Sequence, residues 1–181
     1  MVGKNTQSLV TVVEGVSNVR KSFISELCTD IKDESVLSIS TDVPLIDLEK
    51  MDTGTIESEL LEAAKQGLTI RILSTVDRLR IMEQSEDTMV FIRNNLDDIQ
   101  TLIDKGSVAL RESELEESTY RVVCFEDGYN PDMDRIMLFL TDHPGPDTVA
   151  IIYRKKNPKL IENAFSSFEK AWEESHDIGI H

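Results

Sequence analysis

Residues 36–74 constrain the fold of this chain more than any other stretch. Val36 to Ser40 is a short run after a charged turn and reads as a buried strand. Asp52-Thr53-Gly54-Thr55 supplies a turn and a helix cap. Ile56, Leu60, Leu61 and Ala64 follow at helical spacing, and Gly67 stops the helix. Leu68 to Ser74, LTIRILS, alternates as a strand does. Strand, helix, strand is a βαβ unit, whose two strands lie parallel in one sheet.

The rest of the chain extends that unit. Leu9 to Val13 is a β-branched run, a predicted strand. Val16, Val19, Phe23, Ile24, Leu27, Cys28 and Ile31 then give one apolar helical face. A long helical region is expected over Val76 to Lys105, broken near Ser85, with Gly106 at its end. Four strands are predicted after it: Ser107 to Arg111, Tyr120 to Phe125, Ile136 to Thr141, and Thr148 to Arg154. Asn130-Pro131-Asp132 and His143-Pro144-Gly145-Pro146 read as turns. Asn157 caps a last helix with Pro158 in its first position. Leu160, Ile161, Ala164, Phe165, Phe168, Ala171 and Trp172 make its buried stripe. The fold class is α/β, a single domain with a mixed β-sheet and helices on both faces.

Charge narrows the function classes. The chain has 34 acidic and 19 basic residues in 181, a net charge of −15. That field repels phosphate backbones and anionic membrane surfaces, so no direct nucleic-acid or membrane binding is expected. A local basic pocket for an anion stays open. No stretch approaches the roughly 20 apolar residues of a membrane span, and MVGKNTQSLV has no signal-peptide core. A cytoplasmic location is the expectation. Cys28 and Cys124 sit in apolar-patterned stretches, without Cys or His neighbours at metal-ligand spacing, and read as buried, reduced thiols.

STYRVVCFEDG, Ser118 to Gly128, carries Tyr120, Val122 and Asp127 at the spacing of H-x-K-x4-D, the phospholipase D superfamily signature. Three segments together resemble one half of a phospholipase D-like fold: LLEAAKQGLTIRILST, STYRVVCFEDG and TVAIIYRKKNPKLIENAFSSFEKAWEES. Their order is similar to the degenerate phospholipase D-like effector domains of archaeal TrmB-like transcriptional regulators. Related domains stand at the input end of some archaeal histidine kinases. The resemblance implies a sensor or effector domain over residues 9–175, with a flexible 1–8 and a frayed 176–181. In catalytic members the histidine is nucleophile or general acid and the lysine holds the phosphate. Here these positions are Tyr120 and Val122. A phenol with a pKa near 10 does not replace an imidazole, and valine has no charge. The resemblance therefore implies no catalytic residues and no cofactor. It also implies a homodimer, and a separate or fused DNA-binding or kinase module, as a winged helix-turn-helix normally precedes this domain in the regulators.

Other residues offer sites with a plainer alternative beside each. Ser40, Thr41 and Asp42, with Ser74 and Thr75, end the strands of the βαβ unit, where ligands of parallel sheets bind. They hold a small polar ligand, with Asp127 and Arg154 as further candidate ligand residues, or cap the following helices. Arg154, Lys155, Lys156 and Lys159 crowd the entrance to the last helix, as an anion site or a solvated turn. Met82, Met89, Leu96 and Ile103, with Ile92 and Ile99 between, make a near-heptad, either a dimer seam or a face packed on its own sheet. Asp127, Asn130, Asp132 and Asp134 lack the ligand order of a calcium loop and read as a polar hairpin, so no metal is expected. The scattered His143, His176 and His181 receive no role. Function is expected to be non-catalytic and regulatory, a ligand or partner shifting a dimer. The alternatives are a phosphodiesterase or nuclease with an altered site, and an interaction module with no ligand.

Overall fold

A computed structural model describes residues 10–29, 31, 34–41, 55–75, 86–113, 122–140 and 148–177. Eight strands form one mixed sheet: β1 (Thr11–Glu14), β2 (Val36–Thr41), β3 (Thr69–Ser74), β4 (Val108–Glu112), β5 (Val122–Glu126), β6 (Arg135–Phe139), β7 (Thr148–Tyr153) and β8 (His176–Asp177). Their order across the sheet is β1-β7-β6-β5-β2-β3-β4-β8. The described helices are α1 (Val16–Leu27), α2 (Thr55–Lys65), α3 (Glu86–Asn94), α4 (Leu96–Asp104) and α5 (Pro158–Glu173).

The predicted βαβ unit is present. β2 and β3 pair in parallel from Val36–Thr69 to Thr41–Ser74, and β4 adds a third parallel strand. β5, β6 and β7 continue the sheet antiparallel from the other side of β2. Alternation along the strands sends neighbouring residues to opposite faces. Leu37, Ile39, Ile70, Val123, Phe125 and Met137 join Val19, Phe23 and Leu27 of α1, Leu60 of α2 and Leu102 of α4 in the larger core. Cys124, Ile136 and Ile152 join Ile161 of α5 in a smaller one. Helices thus cover both faces of the sheet.

Local chemistry accounts for the helix ends. Gly67 follows α2, and the Leu68 N–H returns to Ala63 O at 3.0 Å. The Asn157 side chain accepts the Leu160 N–H at 3.3 Å, with Pro158 in the first turn of α5. All seven apolar residues of the predicted α5 stripe are buried or half-buried, while Glu162, Asn163, Ser166 and Ser167 are exposed.

One feature is added and one expectation corrected. Within the described part of the long helical region, 86–105, a break falls at Asn95, where none was expected; the break expected near Ser85 lies outside the described residues, which resume with a helix at Glu86. Asn95 Nδ2 donates to Phe91 O at 2.9 Å, a side-chain bond that competes with the helix backbone. His176 and Asp177, expected to fray, pair instead with Glu112 and Arg111 on the β4 edge. Arg111 adds a contact of 3.8 Å to the Asp177 carboxylate. No described helix is long and apolar enough to cross a membrane.

Candidate functional site

The strand that carries Val122 is β5, near the centre of the sheet between β2 and β6. Val122 opens it, opposite Leu138, and packs against the core formed by Cys124, Ile136, Ile152 and Ile161. Tyr120 lies outside the described residues. Asp127 lies just past the other end of β5. Five residues of extended chain separate it from Val122 by roughly 16 Å.

Asp127 is 6% exposed and organises the turn that follows. Its Oδ1 accepts the Asn130 N–H at 2.8 Å. Its own N–H donates to Asp134 Oδ1 at 2.9 Å, and its carbonyl accepts the Ser35 hydroxyl at 2.8 Å. Gly128 has φ +74°, and a Cβ there would stand 2.5 Å from the Glu34 carbonyl oxygen. Asp134 carries the order onward: Arg154 Nε donates to its Oδ2 at 2.9 Å, and the Arg154 N–H to its carbonyl at 2.7 Å. The Arg154 guanidinium lies 5.3 Å from the Phe165 ring centroid. Asp127 and Arg154 hold a hairpin and a helix entrance together.

The hydroxyl-rich strand ends lie at the opposite end of the sheet. The register pairs Ser40 with Leu73 and Thr41 with Ser74, next to the start of β5. Ser74 is buried and its carbonyl accepts the Ser113 N–H at 2.8 Å. Ser40 and Thr75 are half-buried, and Asp42 lies outside the described residues. The proposed ligand set is therefore split. Ser40, Thr41, Ser74 and Thr75 share one end with Val122, while Asp127 and Arg154 sit at the other. An antiparallel β5 beside β2 forces that division, because its chain direction carries residue 127 back to the start of β2.

One polar network among the described residues escaped the sequence reading. It lies on the α5 side of the sheet around Arg71 of β3. Arg71 Nε and Nη2 donate to Ser38 Oγ at 3.1 and 2.9 Å. Nη2 also reaches Glu169 Oε1 of α5 at 2.5 Å and Glu126 Oε1 at 3.5 Å. The guanidinium lies 5.2 Å from the Phe168 centroid and 5.7 Å from that of Trp172. Arg111 of β4 flanks the same indole at 4.6 Å. Burial raises the Glu126 pKa; Arg71 opposes this while Asp134 and Glu169 add to it. The signal was available: LTIRILS places an arginine in a strand interior, where a charge needs partners.

A second network lies on the other face. Arg135 stacks on Phe125 at 4.1 Å and donates to Met133 O at 2.8 Å. It also donates to Glu26 O, and Tyr153 OH donates to the Glu26 carboxylate. Burial and then the Glu26 hydrogen bond push the Tyr153 phenol up to about 12. Burial likewise pushes both thiols, Cys28 and Cys124, up to about 12, so neither is a ready nucleophile.

No family model matches the sequence, and no curated protein matches it. Solved structures do. The chain superposes over 98% of its length on TrmBL2, described as an archaeal chromatin protein with a novel mode of DNA binding, at a TM-score of 0.59 and 15% identity. It superposes over 94% of its length on polyphosphate kinase from Porphyromonas gingivalis, at a TM-score of 0.52 and 11% identity. The fold is phospholipase D-like. At such identities the likeness is one of fold. The chain spans 56% of TrmBL2 and 24% of the kinase. Val122, which the sequence spacing sets at the signature lysine, is an apolar side chain on an apolar cluster.

Proposed function

We propose that the chain is a non-catalytic regulatory domain, a sensor or effector on a phospholipase D-like scaffold. The observation that carries this reading is Val122. By the signature spacing it stands where a phosphate-binding lysine would, and it packs against Cys124, Ile136 and Ile152 and carries no charge for a phosphodiester. Asp127, the one signature residue kept, has its carboxylate on the Asn130 N–H.

In this reading the hydroxyl-rich strand ends at Ser40, Thr41, Ser74 and Thr75 hold a small polar ligand. Two copies pair, and a separate or fused DNA-binding or kinase module reads the change. TrmBL2 is described as binding DNA. The −15 charge of this chain favours leaving that contact to another module. The test is turnover of bis-p-nitrophenyl phosphate and of single- and double-stranded DNA by purified protein. No turnover is expected. Hydrolysis that co-elutes with the folded protein through two different columns, and disappears on unfolding, would sink the reading.

A further inference from the structure

Among the described residues, the α3–α4 pair carries apolar side chains outside both core clusters. Met89, Val90, Phe91 and Ile92 follow one another in α3. At 3.6 residues per turn, four in succession span roughly 300° of a helix. One side must turn away from whatever the other packs on, and Val90 is 45% exposed. Leu96, which opens α4, is 46% exposed, and Ile99 is half-buried. Among the described residues, none of these six belongs to either core cluster. Among the described elements the main neighbour of α3 is α4. The pair reaches the core through Leu102.

Charge decides between occupants of this face. Residues 86–104 include five acids and one arginine. Lys65 of α2 takes Asp98 at 2.7 Å, while Glu86, Asp97 and Asp104 are exposed. A second copy would set this acidic rim against its like, in a chain already at −15. A helix with leucines on one stripe and lysines around it answers both the apolar face and the rim. We propose that the α3–α4 face docks a basic amphipathic helix of a partner protein. The proposal rests on the regulatory reading and gives the chemistry of the partner that would carry its signal.

The probe is a fluorescein-labelled Leu/Lys peptide of about five helical turns, with leucines on one stripe. The full chain is titrated against it by anisotropy. Controls are a Leu/Glu peptide with the same stripe and a Leu/Lys peptide with the order scrambled. Micromolar binding of the striped basic peptide is expected, weaker by about tenfold or more for both controls. Val90→Ser/Leu96→Ser should weaken it by a similar factor, and Asp97→Lys/Asp104→Lys, which leaves the apolar face intact, severalfold. Val12→Ser/Leu140→Ser, at two somewhat more exposed residues elsewhere, should leave it unchanged. Equal binding of the scrambled peptide overturns the proposal, as does indifference to Val90→Ser/Leu96→Ser. A dimer seen by light scattering that this variant dissolves also overturns it and gives the face to a second copy. Phosphodiester turnover in the same preparation would defeat the regulatory reading while leaving the peptide result standing, so the two failures are distinct.

Discussion

Gly128 and Gly106 offer a matched pair of substitutions that separates backbone strain from steric overlap. Both hold a positive φ, +74° and +73°. At Gly106 an added Cβ meets nothing within 4 Å. At Gly128 it falls 2.5 Å from Glu34 C and O and 2.9 Å from Ser35 N, all backbone atoms that cannot swing aside. Gly106→Ala should therefore cost only the left-handed penalty, about 1–2 kcal/mol. Gly128→Ala adds an overlap of about 1–3 kcal/mol, for roughly 2–5 kcal/mol in all. With a urea slope of about 2 kcal/mol per molar, the midpoints should drop by about 0.5–1 M and about 1–2.5 M respectively. Equilibrium urea unfolding followed by circular dichroism reads both. Equal drops, with unchanged slopes, would mean that the 127–134 turn yields freely. The claim that Asp127 is held in a rigid hairpin would then fail.

Two further outcomes follow from the α5 side of the sheet. Phe168 is 6% exposed, so Phe168→Ala should cost about 3–5 kcal/mol. Trp172 is only half-buried, and Trp172→Ala should cost about 2–3 kcal/mol from area and its guanidinium stack; the reverse order in urea midpoints would contradict this packing. Glu126 has its folded pKa raised above 4.5, so the folded state binds the extra proton and stability falls as pH rises through that window. Glu126→Gln removes the titration, so the stability of the native chain relative to this variant should decline as pH climbs from about 4 to 7; a difference that is flat or rises with pH would count against the burial of this carboxylate.

What was legible in the sequence was local. The βαβ unit, the Asn157 cap and the α5 stripe each depend on residues within a few turns of one another, and spacing alone reports them. Sheet order is not local. β1 lies at the far edge beside β7, and the antiparallel β5 lies between β6 and β2, because the packing of distant apolar faces decides neighbours. The split of the candidate ligand set follows from that order. The Asn95 break escaped notice because apolar spacing continues across it. The Arg71 network brings Ser38, Glu126 and Glu169 together from three other elements, and no single stretch reveals it.

The two faces of the sheet explain where an apolar docking surface is left. α1, α2 and α4 seal one face with an apolar core. The other face has a single described helix, α5, which lies chiefly over β5, β6 and β7. Apolar residues over β3 and β4 on that side would have stood open to water. Instead Arg71 and Arg111 lay their stems across the strands and their guanidinium groups against Trp172. Glu126, Glu169 and Asp177 supply the opposite charge. That half of the face is thus closed by paired, stacked charges, whose desolvation would cost a partner several kcal/mol. The α3–α4 pair has the opposite character, with Val90 and Leu96 open and its Lys65–Asp98 ion pair at an exposed rim rather than stacked on the strands. An apolar partner surface gains by covering the second and loses by covering the first, so docking through α3–α4 follows from how each face is closed.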